Sequence, residues 1–219
     1  MENLDNVTLI AVAGTKGIET LKAIKYSCKT LKFGAVKLIT PENIQDDLVE
    51  IIPCEPLNYE QYNHYIVYRL HEHIETEFAL IVQNDGYVVN PEMWNPEFLN
   101  YDYIGAPWPL PKDDFSFRDQ DGNIQRVGNG GFSLRSKKIL SLAKELNLEW
   151  KSYYGFYHED GFFSCHNRKV YETHGCKFAP IDIACQFSQE YSIEESMGVI
   201  PFGFHGRNHY YYNITQKSL

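Results

Sequence analysis

The chain has no apolar run long enough to span a bilayer, and its first residues, MENLDN, carry neither the basic nor the apolar segment of a signal peptide. A cytoplasmic protein with no integral membrane segment is expected. Paired cysteines are also missing: Cys28, Cys54, Cys165, Cys176 and Cys185 are odd in number and show no C-x-x-C spacing. Neither a disulfide framework nor a structural zinc site is signalled. Basic charge is in short supply, with a formal net charge of −9, so no nucleic-acid partner is expected, since such binding is driven by positive surface. An acidic chain that takes a phosphorylated ligand needs positive charge supplied locally, and a divalent cation is one source. No stretch reads as a linker, and 219 residues suffice for a full α/β core, so residues 1–219 are expected to form a single domain.

Aromatic residues, by contrast, are abundant, at 15% of the chain with 16 tyrosines. Rings with one wet edge suit stacking against sugars or bases. Val7 to Ala13 is apolar and strand-like, and Gly14-Thr15-Lys16-Gly17 breaks it before a helix whose Leu21, Ile24, Cys28 and Leu31 share one face. Gly34 is expected to end that helix, and Ala35 to Thr40 to form a second strand, so the chain opens as β-α-β, the unit of a parallel sheet. The GTKG turn matches neither the dinucleotide-binding nor the Walker spacing. Asn58 with Gln61 three residues on is a capping-box pattern for a helix striped by Tyr62, Ile66, Leu70 and Ile74. Arg69 lies beside the stripe, within reach of a phosphate.

Phe78 to Asn90, FALIVQNDGYVVN, passes from a continuous apolar run into small and polar residues. Phe78 to Val82 reads as a buried strand delivering Gln83, Asn84 and Asp85 to its carboxyl end, the edge at which open α/β sheets bind ligands. Pro91 to Trp108 is too broken by proline for a long helix and reads as a shaped wall carrying Trp94, Tyr103 and Trp108. Lys112 to Arg126 is either a hairpin or a mobile flap. GNGGFSLR, from Gly128 to Arg135, holds three glycines in four residues, which points to unusual backbone angles or a ligand lying on the main chain. Ser136 then caps a helix with Ile139, Leu142, Ala143 and Leu146 facing inward. His158-Glu159-Asp160-Gly161 and the late PFGFHG, with His205, complete the polar candidates. Taken singly, Asp85 and the Glu159-Asp160 pair have a second explanation as caps, and His205 as a core histidine between Phe202 and Phe204.

Taken together, the ordered pattern QNDGYV…YDYIGAPW…GNGGFSLR…HEDGFF…PFGFHG resembles a family of short GT-A-like glycosyltransferase proteins. The resemblance covers about Phe78 to Gly206. It implies a three-layer α/β/α fold with a mixed, mainly parallel central sheet, a nucleotide-sugar donor and a glycan acceptor. The Asp-x-Asp metal motif of GT-A enzymes falls on Gln83-Asn84-Asp85, so Gln83 stands where the first aspartate would be. By the same resemblance, Asp85 and His205 would hold Mn²⁺ or Mg²⁺, and Glu159 or Asp160, with Asp160 favoured, would be the catalytic base. Donor contacts would come from Val12, Ala13, Gly14, Thr15, Arg69, Gln83, Asn84, Asp85, Gly130 and Gly131, and acceptor contacts from Trp108, Asn129, Phe132 and His158. Two other readings use the same residues: a metal-dependent hydrolase of phosphodiesters or sugar nucleotides, and a non-catalytic nucleotide- or carbohydrate-binding module.

Overall fold

A computed structural model describes residues 2–153, 155–207 and 209–216. The chain opens with β1 (Glu2–Val12), α1 (Gly17–Ser27) and β2 (Leu31–Thr40), then adds β3 (Glu50–Pro53), α2 (Tyr59–Tyr68) and β4 (Phe78–Val82). Next come β5 (Gly86–Val88), β6 (Tyr103–Gly105), β7 (Phe132–Ser136) and α3 (Lys137–Glu145). A single helical turn, α4 (Glu159–Gly161), runs into a wide turn at Phe162–His166 and then α5 (Arg168–Thr173). The chain continues through α6 (Ile181–Phe187), β8 (Ser188–Gln189), β9 (Gly203–His205) and α7 (Tyr210–Gln216).

Six strands form the central sheet in the order β3-β2-β1-β4-β7-β6. The pairs from β3 to β4 are parallel, and β7 alone runs against its neighbours β4 and β6. A small sheet, β5-β9-β8, stands beside it. The central strands read as continuous apolar runs because both faces are covered. Leu9 and Ala11 of β1, Leu80 and Val82 of β4, and Phe132 and Leu134 of β7 face a core shared with Ile24 of α1 and Phe187 of α6. The alternate residues Ile10, Ala79 and Ile81 face a core shared with Ile66 of α2, Ile139 of α3 and Phe162. The result is the expected three-layer architecture.

Two helix starts follow their sequence signals closely. Asn58 accepts from the Gln61 N–H at 2.9 Å and Gln61 accepts from the Asn58 N–H at 2.8 Å, the full capping box. Ser136 accepts from the Ile139 N–H at 3.1 Å. The first helix is shorter than its periodicity suggests: it ends at Ser27, and Gly34 lies inside β2. The pairing of β1 with β2 is irregular between Leu4 and Thr8, and a Cβ on Gly34 would sit 2.2 Å from the Asp5 carbonyl oxygen. Gly34 is therefore the bare position that admits a bulged neighbour, not a helix end. The 112–126 segment is a hairpin, with Arg118 bridged to Ile124 and Pro107 to Val127. Among the described residues no helix is long and apolar enough to cross a membrane.

Candidate active site

Strand direction decides what meets at the carboxyl edge of the sheet. Because β1 and β4 are adjacent and parallel, Val12 to Thr15 and Gln83 to Asp85 leave the sheet side by side. Because β7 runs the other way, the segment entering it, Gly128 to Gly131, arrives at that same edge. The Gln83 N–H donates to the Gly131 carbonyl at 2.9 Å and fixes the junction. The small sheet brings in the last member: His205 pairs with Gly86 across β5 and β9, and the Gly206 N–H donates to the Asp85 carbonyl at 3.0 Å.

His205 is the centre of a charged cluster. Its Nε2 lies 3.2 Å from Gln83 Oε1 and 3.5 Å from Asp85 Oδ1, and its Nδ1 faces Glu190 Oε1 at 3.3 Å, off the direction of a hydrogen bond. Burial works against a charge on the imidazole, but the carboxylates of Asp85 and Glu190 outweigh it and push its pKa up to about 9. Asp85 is likewise opposed by burial, yet His205 and Arg207, whose Nε is 3.6 Å from Asp85 Oδ2, hold it below the ordinary carboxylate range. Gln83 now has a physical reason. Its amide donates to Tyr62 Oη at 2.8 Å while its oxygen faces His205, a double role an aspartate cannot fill. Asp85 Oδ1 and Gln83 Oε1 both lie within 3.5 Å of His205 Nε2. Oxygens of this kind are the donors that Mg²⁺ and Mn²⁺ prefer, and His205 would join them only by giving up the proton that its raised pKa holds. Among the described residues no three His, Cys, Asp or Glu are grouped to hold an ion on their own.

A second cluster lies directly beneath the neighbouring glycine. Glu159 is buried and accepts from Arg135 Nη1 at 2.5 Å, and its own N–H donates to Asn63 Oδ1 of α2 at 2.8 Å. Arg135, fully buried, also donates to Ser133 Oγ at 3.1 Å and Tyr103 Oη at 3.2 Å. These two in turn hold the loop above, Ser133 donating to the Gly130 carbonyl at 3.1 Å and Tyr103 to that of Gly128 at 2.6 Å. The three glycines are thereby accounted for, and differently from expectation. None of them has a positive φ. A Cβ on Gly128 would meet the Trp108 ring at 2.2 Å, on Gly130 the Glu159 carboxylate at 1.8 Å, and on Gly131 the His205 ring at 2.1 Å. The chain's own side chains fill the space, and the loop is the seam between the two clusters.

Asp160 stands apart from its neighbour. Partly buried, it faces a cleft of about 350 Å³ whose walls include Trp108, Phe117, Tyr153, Phe156 and His158. Burial and the adjacent Glu159 charge push its carboxyl up to about 7. Trp108 stacks on Phe117 with ring centroids 4.5 Å apart, and His158 Nδ1 is 2.6 Å from Tyr59 Oη. The candidate base thus shares one cavity with two of the expected acceptor residues, Trp108 and His158.

Other expectations are corrected. Phe132 is fully buried against Phe187 and Phe202, and Trp94 and Tyr103 are likewise core residues. Asn129 is buried, donating to Glu190 Oε2 at 2.6 Å and accepting from the Gly131 N–H at 3.1 Å, so its side chain serves the seam. Val12 and Ala13 point into the cores and Gly14 packs on Leu57, which leaves Thr15 exposed at that turn. Arg69 ends α2, lies over the Tyr65 ring at 5.2 Å and pairs with Glu72 at 3.6 Å, so it is not brought to the clusters. Glu190, Arg135, Tyr62 and Arg207 are not among the expected site residues, because a lone charge or tyrosine gains meaning only from the partner that folding places beside it.

No curated protein matches the chain. In structure it is similar to a glycosyltransferase involved in the glycosylation of the major capsid of PBCV-1, over 97% of this chain and 99% of that one, with a TM-score of 0.52 and 14% identity. At that identity the likeness concerns the fold, which is glycosyltransferase-like and of the GT-A type. The model of a family described as protein of unknown function (DUF5672) matches residues 52–205, a stretch that includes Gln83 to Asp85, the glycine-rich seam, Glu159, Asp160, Glu190 and His205. The chain belongs to that family.

Proposed function

We propose that the protein is a glycosyltransferase that moves a sugar from a nucleotide-sugar donor to a hydroxyl of a glycan acceptor, by direct displacement with inversion. The observation that carries this reading is the division of labour between adjacent carboxylates. Glu159 is neutralised by Arg135, and Asp160, with its carboxyl raised to about 7, faces the aromatic cleft. A base with a pKa near the working pH is the one best suited to take a proton from a weak acid such as a sugar hydroxyl.

In the proposed reaction the acceptor ring lies in the aromatic cleft and Asp160 removes its hydroxyl proton as that oxygen bonds to the anomeric carbon. The bond from that carbon to the diphosphate oxygen breaks, and the diphosphate leaves with the electron pair. Asp85, with His205 once that imidazole is deprotonated, would hold a Mn²⁺ or Mg²⁺ ion, which would supply charge neutralisation for that leaving group. Gln83 orients His205, and Arg135 fixes Glu159 so that the seam and Asp160 keep their positions. The test is product analysis by mass spectrometry over nucleotide-sugar and glycan panels. Asp160→Asn is expected to lower turnover by about 10²-fold or more, the usual worth of base catalysis, with donor binding nearly unchanged. Wild-type turnover in that variant removes Asp160 from the role, and free sugar released without acceptor points to a hydrolase.

A further inference from the structure

A second cleft, of about 260 Å³, opens between α1, the Asn84 turn and α7. Three cations line it, Lys16 and Lys22 from α1 and its start and Arg207 from the segment after β9, against one carboxylate, Glu19. On a chain of net charge −9 this is a local reversal of sign, and a concave one. Among the described residues neither lysine is paired with a carboxylate, and both are exposed. Lys16 caps the start of α1 and Lys22 lies in its second turn, with Glu19 between them. Lys16 holds φ 62° and ψ 39°, a left-handed conformation that L residues adopt at a cost and that clusters at ligand sites. Arg207 links the cleft to the neighbouring charged cluster through Asp85. The family match from 52 to 205 includes Asn84 but none of the three cations, so it does not account for them.

We propose that this cleft is a diphosphate subsite, in which Lys16, Lys22 and Arg207 bind the phosphates of a nucleoside diphosphate, with the Asn84 amide as a donor and the Tyr212 ring as a flank. It supplies from the chain itself the positive charge that the acidic surface otherwise lacks. Naming the diphosphate as that of the sugar donor rests on the reading above, whereas binding does not. The test is calorimetric titration in EDTA at low salt with inorganic pyrophosphate, and then with a panel of nucleoside diphosphates. The proteins are the wild type, Lys22→Gln, Arg207→Gln, Lys16→Asn, which tolerates the left-handed conformation, and Lys138→Gln as a cation elsewhere.

Saturable pyrophosphate binding is expected, weakened about tenfold in each cleft variant, as the loss of one charged hydrogen bond implies, and unchanged in Lys138→Gln. It should also weaken as salt rises. No saturable binding to the wild type, or wild-type affinity in the cleft variants at unchanged melting temperature, overturns the subsite. If the cleft variants lose pyrophosphate but no nucleotide-sugar is consumed with any acceptor, the subsite stands and the transferase reading falls. If turnover is found and the variants keep the wild-type donor KM, the transferase stands and the assignment of this cleft to the donor's diphosphate falls.

Discussion

Asp160 and Glu159 are adjacent in sequence and opposite in circumstance. One side chain is neutralised beneath Gly130 by Arg135; the other faces the aromatic cleft with a carboxyl raised to about 7. Because a base must be ionised, activity is expected to rise with pH through about 7, and Asp160→Asn to remove that limb along with most of the turnover. Stability should move the opposite way. With a folded pKa above the unfolded value near 3.8, Asp160 keeps its proton in the folded state while the unfolded chain has released it, so stability falls as pH rises from about 4 to about 7. Chemical denaturation of the wild type and Asp160→Asn across that range checks this: the difference between them should widen in favour of the variant as pH rises. A constant difference contradicts it. The glycines offer a second residue-scale test. Gly131→Ala drives a Cβ into the His205 ring at 2.1 Å, whereas Gly122→Ala meets nothing within 4 Å and bears only its φ of +84°. Overpacking of this kind costs about 1–3 kcal/mol, a fall in melting temperature of about 2–12 °C for a chain of this size. Equal melting temperatures for Gly131→Ala and the wild type would show that the seam is looser than its geometry.

At the scale of elements, what was legible in the sequence is what depends on near neighbours. The capping box at Asn58, the Ser136 cap and the buried strand Phe78 to Val82 are local patterns, and they stand where the residues put them. The end of α1 was misread because Gly34 answers to a bulge in β1, about thirty positions earlier in the chain, and the GNGG stretch because its bare positions answer to Trp108, Glu159 and His205. A glycine announces that something comes close, not what. In the same way Asn63 looked like an ordinary helix residue, yet its side chain accepts the buried N–H of Glu159 and so anchors the turn carrying Asp160 to α2. Asn63→Ala is expected to cost about 1–3 kcal/mol for the stranded donor, more than the roughly 1 kcal/mol of Asn58→Ala at the exposed cap. Urea unfolding of the two variants ranks them, and the reverse order would remove Asn63 from that anchoring role.

Over the whole molecule, one antiparallel strand in an otherwise parallel sheet explains why distant sequence segments share an edge. With β7 reversed, the seam meets Gln83 and Asp85, and the small sheet carries His205 to the same place. The positions of Asp85, Asp160 and His205 along the chain suggested a common site, and the fold places the seam between Asp160's cleft and the other two. The cations that would receive a diphosphate were visible as residues but not as a group, since Lys16 and Arg207 are separated by most of the chain. The central claim, that this edge receives a nucleotide-sugar, is tested most directly by thermal unfolding against nucleoside diphosphates and nucleotide-sugars, each with and without Mn²⁺. At about 100 times Kd a ligand adds roughly 2.7 kcal/mol, a shift of about 5–10 °C for this length. The account predicts such a shift with one nucleotide family, enlarged by Mn²⁺ in the wild type and not in Asp85→Ala. No shift with any nucleotide, in either condition, would contradict it.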